Sequence, residues 1–281
     1  MSRPTSNRAR SRLAIVGVLL LTPACLFGSP TEPAPDDLDG LARWLWVNFL
    51  AADAATMADA SSKLHVAADF DGISEPRRGL LDDLASDDLA AVEMADRDPR
   101  PAQGMYLINL LGCTLPQLEA VLLDPDQAAI QPQIYQVYQR TYLTDVEAFD
   151  QRTASVVSWE YYYEAQPMPA ARYGAHPRAD LRHVGASPGV DLPHGPLLVQ
   201  RIWLPQPAEY FDTDANVFDL DFQIAVYYEA APGQVAKFYP FWRHIAFTAI
   251  GASTDDNWMI DAVLDGEVEW DRRLVEACAA H

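Results

Sequence analysis

The chain has 281 residues, of which 49% are hydrophobic and 21% are charged, so it is long and apolar enough to form a sizeable core. Its 40 acidic and 20 basic residues give a formal net charge of −20. Because such a surface repels phosphate groups, the composition argues against a nucleic-acid partner, and any membrane contact needs a covalent or hydrophobic cause.

The N-terminus has the features of an export signal. Residues 1–24 contain four arginines and no acidic residue, and the arginines precede the apolar run LAIVGVLLL at positions 13–21. This run is too short to span a bilayer, and small residues follow it. We therefore predict a signal peptide over residues 1–24.

The signal ends at Cys25, and the surrounding residues resemble the lipobox of bacterial lipoproteins. The resemblance implies that Cys25 is acylated, with chains such as palmitate, and anchors the protein in a membrane. Thr22 and Pro23 depart from the usual pattern, so simple cleavage after Ala24 stays an alternative. Under the sorting rule of that family, Leu26 implies the outer membrane, with the protein on its periplasmic or surface side.

A Pro-rich, acidic stretch predicts a flexible tether over residues 25–37. Residues 38–96 are rich in Ala, Asp and Leu, and we interpret them as a helical segment. The first helix begins near Leu38, where apolar residues recur at helical spacing, and a second is predicted through LLDDLASDDLAAVEM, residues 80–94. The runs of Asp are typical of a solvated helix face.

The pattern changes to strands from Gly104 onward. The run GMYLINLLGC predicts a buried strand, and Thr114 and Gln117 have the spacing of a capping box that opens a short helix ending near Asp124. Further strands are predicted over 134–143, 155–165 and 197–204. The Pro- and Gly-rich residues 165–196 are predicted as one long loop.

Residues 218–247 predict an antiparallel hairpin with many aromatic residues. Its first half alternates apolar and polar residues, whereas its second half is apolar on both parities, so both faces of that strand must be covered. We predict that its rings line a cavity; a tightly packed aromatic core explains the same pattern. A long helix then runs from caps at 253–255 to Cys278.

The order of these elements resembles the START-like superfamily (SRPBCC, polyketide cyclase, Bet v 1). The segments that carry the resemblance are CTLPQLEAVLLDP, DFQIAVYYEAAPGQVAKFYPFW and DAVLDGEVEWDRRLVEAC. It implies an α+β fold over residues 104–281, in which a curved antiparallel sheet wraps around the long C-terminal helix and leaves an apolar cavity. The parts outside this region also resemble lipoproteins of myxobacteria, which implies no activity.

The resemblance implies that the protein binds a hydrophobic small molecule or lipid in a cavity between the sheet and the C-terminal helix. Strand parity suggests that the binding residues are Trp159, Tyr161, Tyr163, Phe222, Ile224, Tyr239 and Trp242. The alternatives are a cyclase- or hydrolase-type enzyme using the same cavity and a structural envelope lipoprotein with a filled core. We predict no catalytic residue and no cofactor, because no catalytic motif occurs and the parity assigned to the cavity is apolar. Trp242–His244 beside Glu229 could form an acid–base pair, but a cross-strand contact is more common.

Two cysteines and three histidines remain as candidates for a disulfide and a metal site. Export to an oxidising compartment would allow Cys113 and Cys278 to form a disulfide, and two buried free thiols are the alternative. The family resemblance places the two cysteines close together. His176, His183 and His194 fall in the predicted long loop, but they have no other ligand beside them at zinc-site spacing, so we predict no metal site.

We predict that Cys25 is lipidated. Metabolic labelling with a fatty-acid analogue should mark the wild-type protein and leave Cys25→Ser unmarked, because the serine hydroxyl cannot replace the thiol that carries the lipid. Equal labelling of the two proteins would contradict the prediction.

Overall fold

A computed structural model describes residues 32–167, 171–185, 192–211 and 216–280. The predicted signal peptide, Cys25 and the first part of the predicted tether lie outside the described residues. Within these residues no helix is both long enough and apolar enough to cross a membrane.

The described chain is an α+β fold built on one large, curved and unclosed antiparallel sheet, as the sequence predicts. The helices are α1 (Leu38–Asn48), α2 (Ala54–Ala67), α3 (Leu115–Leu123), α4 (Gln127–Ile130), α5 (Val146–Asp150) and α6 (Asn257–Cys278). The strands are β1 (Arg77–Leu81), β2 (Gln103–Leu111), β3 (Tyr135–Tyr142), β4 (Val156–Ala165), β5 (Tyr173–Ala175), β6 (Arg178–Val184), β7 (Leu197–Trp203), β8 (Glu209–Tyr210), β9 (Asn216–Ala231), β10 (Gln234–Phe247) and β11 (Ala252–Ser253).

The strand order in the sheet is β1-β2-β10-β9-β7-β6-β4-β5-β8, with β11 added to β10 and β3 added to β4. The long hairpin of β9 and β10 therefore lies well inside the sheet. The predicted capping box is present at the start of α3. Thr114 N–H donates to Gln117 Oε1 at 3.0 Å, and Gln117 N–H donates to Thr114 Oγ1 at 3.4 Å.

Two predicted segments differ from the structure. The second N-terminal helix, predicted over 80–94, is wrong: the chain forms strand β1 and then a short 3-10 helix at Ser86–Val92. Pairing of β1 with β2, in which Leu80 lies opposite Met105, outweighs the local helical pattern. The predicted long loop of 165–196 contains β5 and β6, and β6 fills the gap between β4 and β7.

The sheet is covered on both faces. Helices α1 and α2 pack on one face, where Trp46 contacts Phe222 with ring centroids 5.7 Å apart and donates its indole N–H to the Asp88 carbonyl at 3.0 Å. Helices α3 and α6 pack on the other face. This double cover explains why β10 is apolar on both parities.

Residues 32–37 are held against the α1 and α2 layer. Trp44 Nε1 donates to the Glu32 carbonyl at 2.9 Å, and Lys63 Nζ donates to the Ala34 carbonyl at 2.5 Å. Ala34 itself is only 3% exposed. This end of the predicted tether is therefore packed onto the domain.

Cys113 and Cys278 are buried free thiols. A hydrogen bond between the two thiols, together with burial, raises the pKa of the Cys113 thiol. The two side chains therefore lie side by side. The structure thus holds the pair in close contact without a disulfide.

The packing beneath the N-terminal helices predicts a large effect of one substitution. Phe222 is fully buried, so Phe222→Ala should lower the free energy of unfolding by about 3–5 kcal/mol through lost burial and a cavity. Phe211 is 44% exposed, and Phe211→Ala should cost less than about 1 kcal/mol. Urea denaturation measures both values, and equal losses would argue against the packing described.

Candidate functional site

A cavity of about 500 Å³ lies between the sheet and α6. Strands β3, β4, β5, β7, β8, β9 and β10 supply its walls on the sheet side, and residues of α6 from Trp258 to Trp270 supply the opposite wall. The cavity is partly open to solvent. It lies on the face of the sheet opposite α1 and α2, because its lining residues from Asp221 to Tyr227 on β9 and from Lys237 to Arg243 on β10 alternate with residues that pack against those helices.

Tyrosines dominate the cavity wall. Eight of the 12 tyrosines of the chain line it, so the tyrosines are concentrated at this site. On the β3 and β4 side the rings form a continuous contact series. Tyr135 lies 5.2 Å from both Tyr138 and Tyr163, Tyr138 stacks on Tyr161 at 5.4 Å, and Tyr163 packs against Tyr173 at 5.9 Å, all between ring centroids.

Cross-strand register produces this aromatic wall. Tyr138 on β3 lies opposite Tyr163 on β4, and Arg140 lies opposite Tyr161. Burial raises the pKa of Tyr161 and of Tyr163 well above the ordinary value for tyrosine. The hydroxyls therefore stay neutral at physiological pH and offer hydrogen bonds without adding charge.

A chain of polar side chains forms a second part of the wall, on β9, β10 and α6. Tyr239 donates its hydroxyl hydrogen to Gln223 Oε1 at 2.7 Å, and Gln223 Nε2 donates to Asp221 Oδ2 at 2.6 Å. Arg243 Nε donates to Asp221 Oδ1 at 2.9 Å, and Arg243 Nη1 donates to Glu267 Oε1 at 3.2 Å. One continuous network thus joins the two central strands to the terminal helix.

A second buried ion pair adjoins this network. Lys237 is 2% exposed and Asp271 is 1% exposed, and the Lys237 ammonium donates to Asp271 Oδ1. Asn109 Nδ2 donates to the other oxygen of Asp271 at 3.0 Å. Together with the first network, three carboxylates face two cations, so the combined cluster has one excess negative charge when every group is ionised.

Glu267 is a cavity carboxyl on α6 whose pKa is raised by its surroundings. Burial raises its pKa above the ordinary value of 4.5, against the lowering influence of Arg243 and Lys237. A carboxyl in a cleft whose pKa is raised by burial can hold a proton at a higher pH than a solvated one and donate a hydrogen bond to a bound molecule.

The predicted binding residues divide between the two faces of the sheet. Trp159, Tyr161, Tyr163 and Tyr239 line the cavity. Three others, Phe222, Ile224 and Trp242, belong to the core beneath α1 and α2, so assigning them to the cavity side was wrong. Both faces of the sheet are covered. The more apolar face of β9 and β10 packs against α1 and α2, and the opposite face borders the cavity.

Polar cavity residues went unrecognised in the sequence because their parity reads as a solvated face. Asp221 and Gln223 alternate with large apolar residues, and Glu267 interrupts the apolar stripe of α6. The suggested contact of Glu229 with the 242–244 segment does not form. Glu229 instead accepts from Leu115 N–H at 3.3 Å, and His244 pairs with Asp219 at 2.7 Å.

The three histidines considered for zinc lie in different surroundings. His194 stacks on His65 with centroids 4.3 Å apart, on the α2 side of the sheet, and His176 packs against Tyr162 at 4.7 Å. Among the described residues no three His, Cys, Asp or Glu side chains are grouped as a metal site would require.

No protein-family model matches the sequence, and no curated protein matches it. Among solved structures, the chain is similar to the human StarD13 lipid transfer and protein localization domain, with 9% identity, 73% of this chain and 84% of that chain covered, and a TM-score of 0.43. Human StAR-related lipid transfer protein 5 gives 7% identity, 81% and 97% coverage, and a TM-score of 0.43. The STAR-related lipid transfer protein of Xanthomonas axonopodis gives 14% identity, 64% and 86% coverage, and a TM-score of 0.37.

These matches are to START-related domains, the group that the sequence resembles. Identities of 7–14% and TM-scores below 0.5 extend no property of those domains to this chain. The chemistry of the cavity follows from its own side chains.

The environment of Glu267 predicts how stability changes with pH. Since the folded-state pKa of Glu267 is raised above 4.5, its contribution to stability is complete below pH 4.5 and is lost as pH rises through the folded-state pKa. The stability of the wild type relative to Glu267→Gln should therefore fall as pH rises above 4.5. Urea denaturation of both proteins between pH 4 and pH 8 measures this difference.

Glu269→Gln on the same helix is the control. A hydrogen bond from Arg272 lowers the pKa of Glu269 to about 2, so its contribution is present above pH 4.5 and is lost as pH falls toward 2. Between pH 4.5 and pH 8 the stability of the wild type relative to Glu269→Gln should therefore stay nearly constant, and an equal fall for both substitutions would refute the assignment for Glu267.

Proposed function

We propose that this protein binds an apolar or amphipathic small molecule, such as a lipid, in the cavity between the sheet and α6. The observation that carries the proposal is a space of about 500 Å³ with an aromatic wall and a wall of fixed polar groups. Its volume lies within the range of small-molecule sites, which are commonly lined by apolar and aromatic side chains with a few placed polar groups.

The side chains around the cavity suit a molecule with both apolar and polar parts. Tyrosine rings present apolar faces, and their hydroxyls offer hydrogen bonds at the ring edge. The network from Tyr239 to Glu267 is already hydrogen-bonded internally, so a ligand meets a rigid polar surface there. An unfilled volume of this size supports binding over a structural protein with a filled core.

We also propose that the protein is held in the cell envelope by a lipid on Cys25, on the outer membrane. The sequence of the first 26 residues supports this. Residues 32–37 enter the domain on the α1 and α2 side, where Ala34 is buried, whereas the cavity lies on the other face of the sheet. An anchor attached through this segment would therefore leave the cavity uncovered.

A cyclase- or hydrolase-type enzyme is the second candidate, and one observation favours it. Polar groups rather than purely apolar ones point into the cavity, and burial raises the pKa of Glu267 so that it could serve as a proton donor. Turnover would appear in native mass spectrometry as a mass difference between the molecules retained by the wild type and by Glu267→Gln.

Gly266 offers a way to test binding, because it lies inside α6 and lines the cavity. A Cβ atom added there meets nothing within 4 Å, so a larger side chain can occupy free space without a clash. Gly266→Leu should lower the affinity for a neutral hydrophobic dye, N-phenyl-1-naphthylamine, at least about fivefold, the equivalent of about 1 kcal/mol.

Gly266→Ala is the matched control. It removes the helix-destabilising glycine and adds one methyl group, so it should stabilise the fold by up to about 1 kcal/mol and leave dye affinity nearly unchanged. Fluorescence titration gives the affinities, and thermal unfolding gives the stabilities. A wild-type protein that binds neither the dye nor any co-purifying lipid would contradict the proposed function.

A further inference from the structure

Arg140 differs from the other cations of the cavity wall. Lys237 pairs with Asp271, and Arg243 pairs with Asp221. Arg140 also lines the cavity, yet in the described part of the chain no carboxylate lies within ion-pair distance of its guanidinium. It is therefore the cavity cation whose charge the described residues do not balance.

The partners of Arg140 are neutral oxygens and ring faces. Its Nε and Nη2 donate to the Tyr138 hydroxyl oxygen at 3.1 and 2.9 Å, and its Nη1 donates to the Leu122 carbonyl at 2.9 Å and to the Tyr142 hydroxyl oxygen at 3.2 Å. The guanidinium carbon lies 4.6 Å from the centroid of the Trp159 ring. These contacts fix the planar group in one orientation.

Such a position is costly unless a negative charge completes it. Removing a cation from water carries a penalty that carbonyl dipoles and ring faces only partly offset. The chain has 40 acidic residues against 20 basic ones, so carboxylates are plentiful, yet no described one lies here. This end of the cavity therefore presents a fixed positive charge to whatever occupies the space.

The same end of the cavity has hydrogen-bond donors that are without acceptors among the described residues. A guanidinium carries five N–H groups, and the four contacts above leave one N–H on Nη2. The Tyr138 oxygen already accepts from Arg140, so its own O–H is available as a donor. The indole N–H of Trp159, which is 1% exposed, has no partner among the described residues. Donors without acceptors are the complement of a carboxylate.

We infer that the ligand is an organic acid with one apolar chain, whose carboxylate binds Arg140 and Tyr138 while its body lies along the tyrosine wall. The inference rests on the proposed function and specifies the class of ligand. The Asp221–Arg243–Glu267 network is excluded as the carboxylate site, because its own acidic groups already balance its cation. A volume of about 500 Å³ suits one chain better than the two chains of a phospholipid.

Isothermal titration of the full chain with palmitate and with hexadecanol tests the inference. The two probes share a chain length and differ in the charge of the head group. The wild type should bind palmitate at least about tenfold more tightly, since a hydrogen bond to a charged group contributes about 1.5–3 kcal/mol. Arg140→Gln should lose this preference through weaker binding of palmitate, with the affinity for hexadecanol unchanged.

Two further variants complete the experiment. Arg178→Gln removes an exposed arginine of β6 and should leave both affinities unchanged. Tyr138→Phe removes one donor and keeps the ring, so it should reduce the preference for palmitate even if Arg140→Gln fails to fold. Thermal unfolding of each variant reports whether it is folded.

The outcomes separate the inference from the proposed function. Equal wild-type affinities for the two probes, or a preference that persists in Arg140→Gln, would overturn the inference and leave ligand binding intact. Failure of the wild type to bind either probe would overturn the inference, and failure to bind N-phenyl-1-naphthylamine and any co-purifying lipid as well would overturn the proposed function.

Discussion

The arrangement of this protein depends on the burial of both faces of the β9–β10 hairpin. A strand in an antiparallel sheet commonly has one solvated face, but here each parity has its own cover. Leu220, Phe222 and Ile224 pack under α1 and α2, whereas Asp221 and Gln223 face the space beside α6. The N-terminal helices thus form a structural layer on one face of the sheet, and the cavity lies on the other face.

Much of the architecture could be predicted from the sequence, because local patterns determine it. The capping box at Thr114, the strands β2, β3, β4, β7, β9 and β10 and the terminal helix follow from spacing and turn residues, whereas β5 and β6 lie in a stretch whose Pro and Gly content predicts a loop. The segment at 80–94 could not be predicted in this way, since the pairing of β1 with β2 is a long-range contact that overrides a local helical pattern.

The cavity residues could be predicted only in part, for a related reason. A period of two tells which residues share a face but not which layer covers that face. The sequence assigns Trp159 and Tyr239 to the cavity because they are aromatic, and some aromatic residues do lie on the cavity face of the sheet. Asp221, Glu267 and Arg140 were missed because charged residues at alternating positions are usually solvated, and only the fold shows that these are not.

The charged cluster of the cavity positions the sheet and the terminal helix relative to each other rather than adding much stability. Buried ion pairs contribute little net stability, since desolvation offsets most of their attraction. What the cluster provides is geometry: the Gln223 amide links Tyr239 to Asp221, and Arg243 links Asp221 to Glu267 across the gap between sheet and helix. These bonds fix the separation of the two walls.

The packing of residues 32–37 against the domain limits how far an anchored protein could travel. Six residues lie between Cys25 and Glu32, and the seven residue steps of a fully extended chain span about 25 Å. In a protein attached at Cys25, Glu32 could lie no farther than this from the bilayer surface. If the proposed anchor and the proposed ligand binding both hold, the ligand would have to enter and leave the cavity close to the membrane surface.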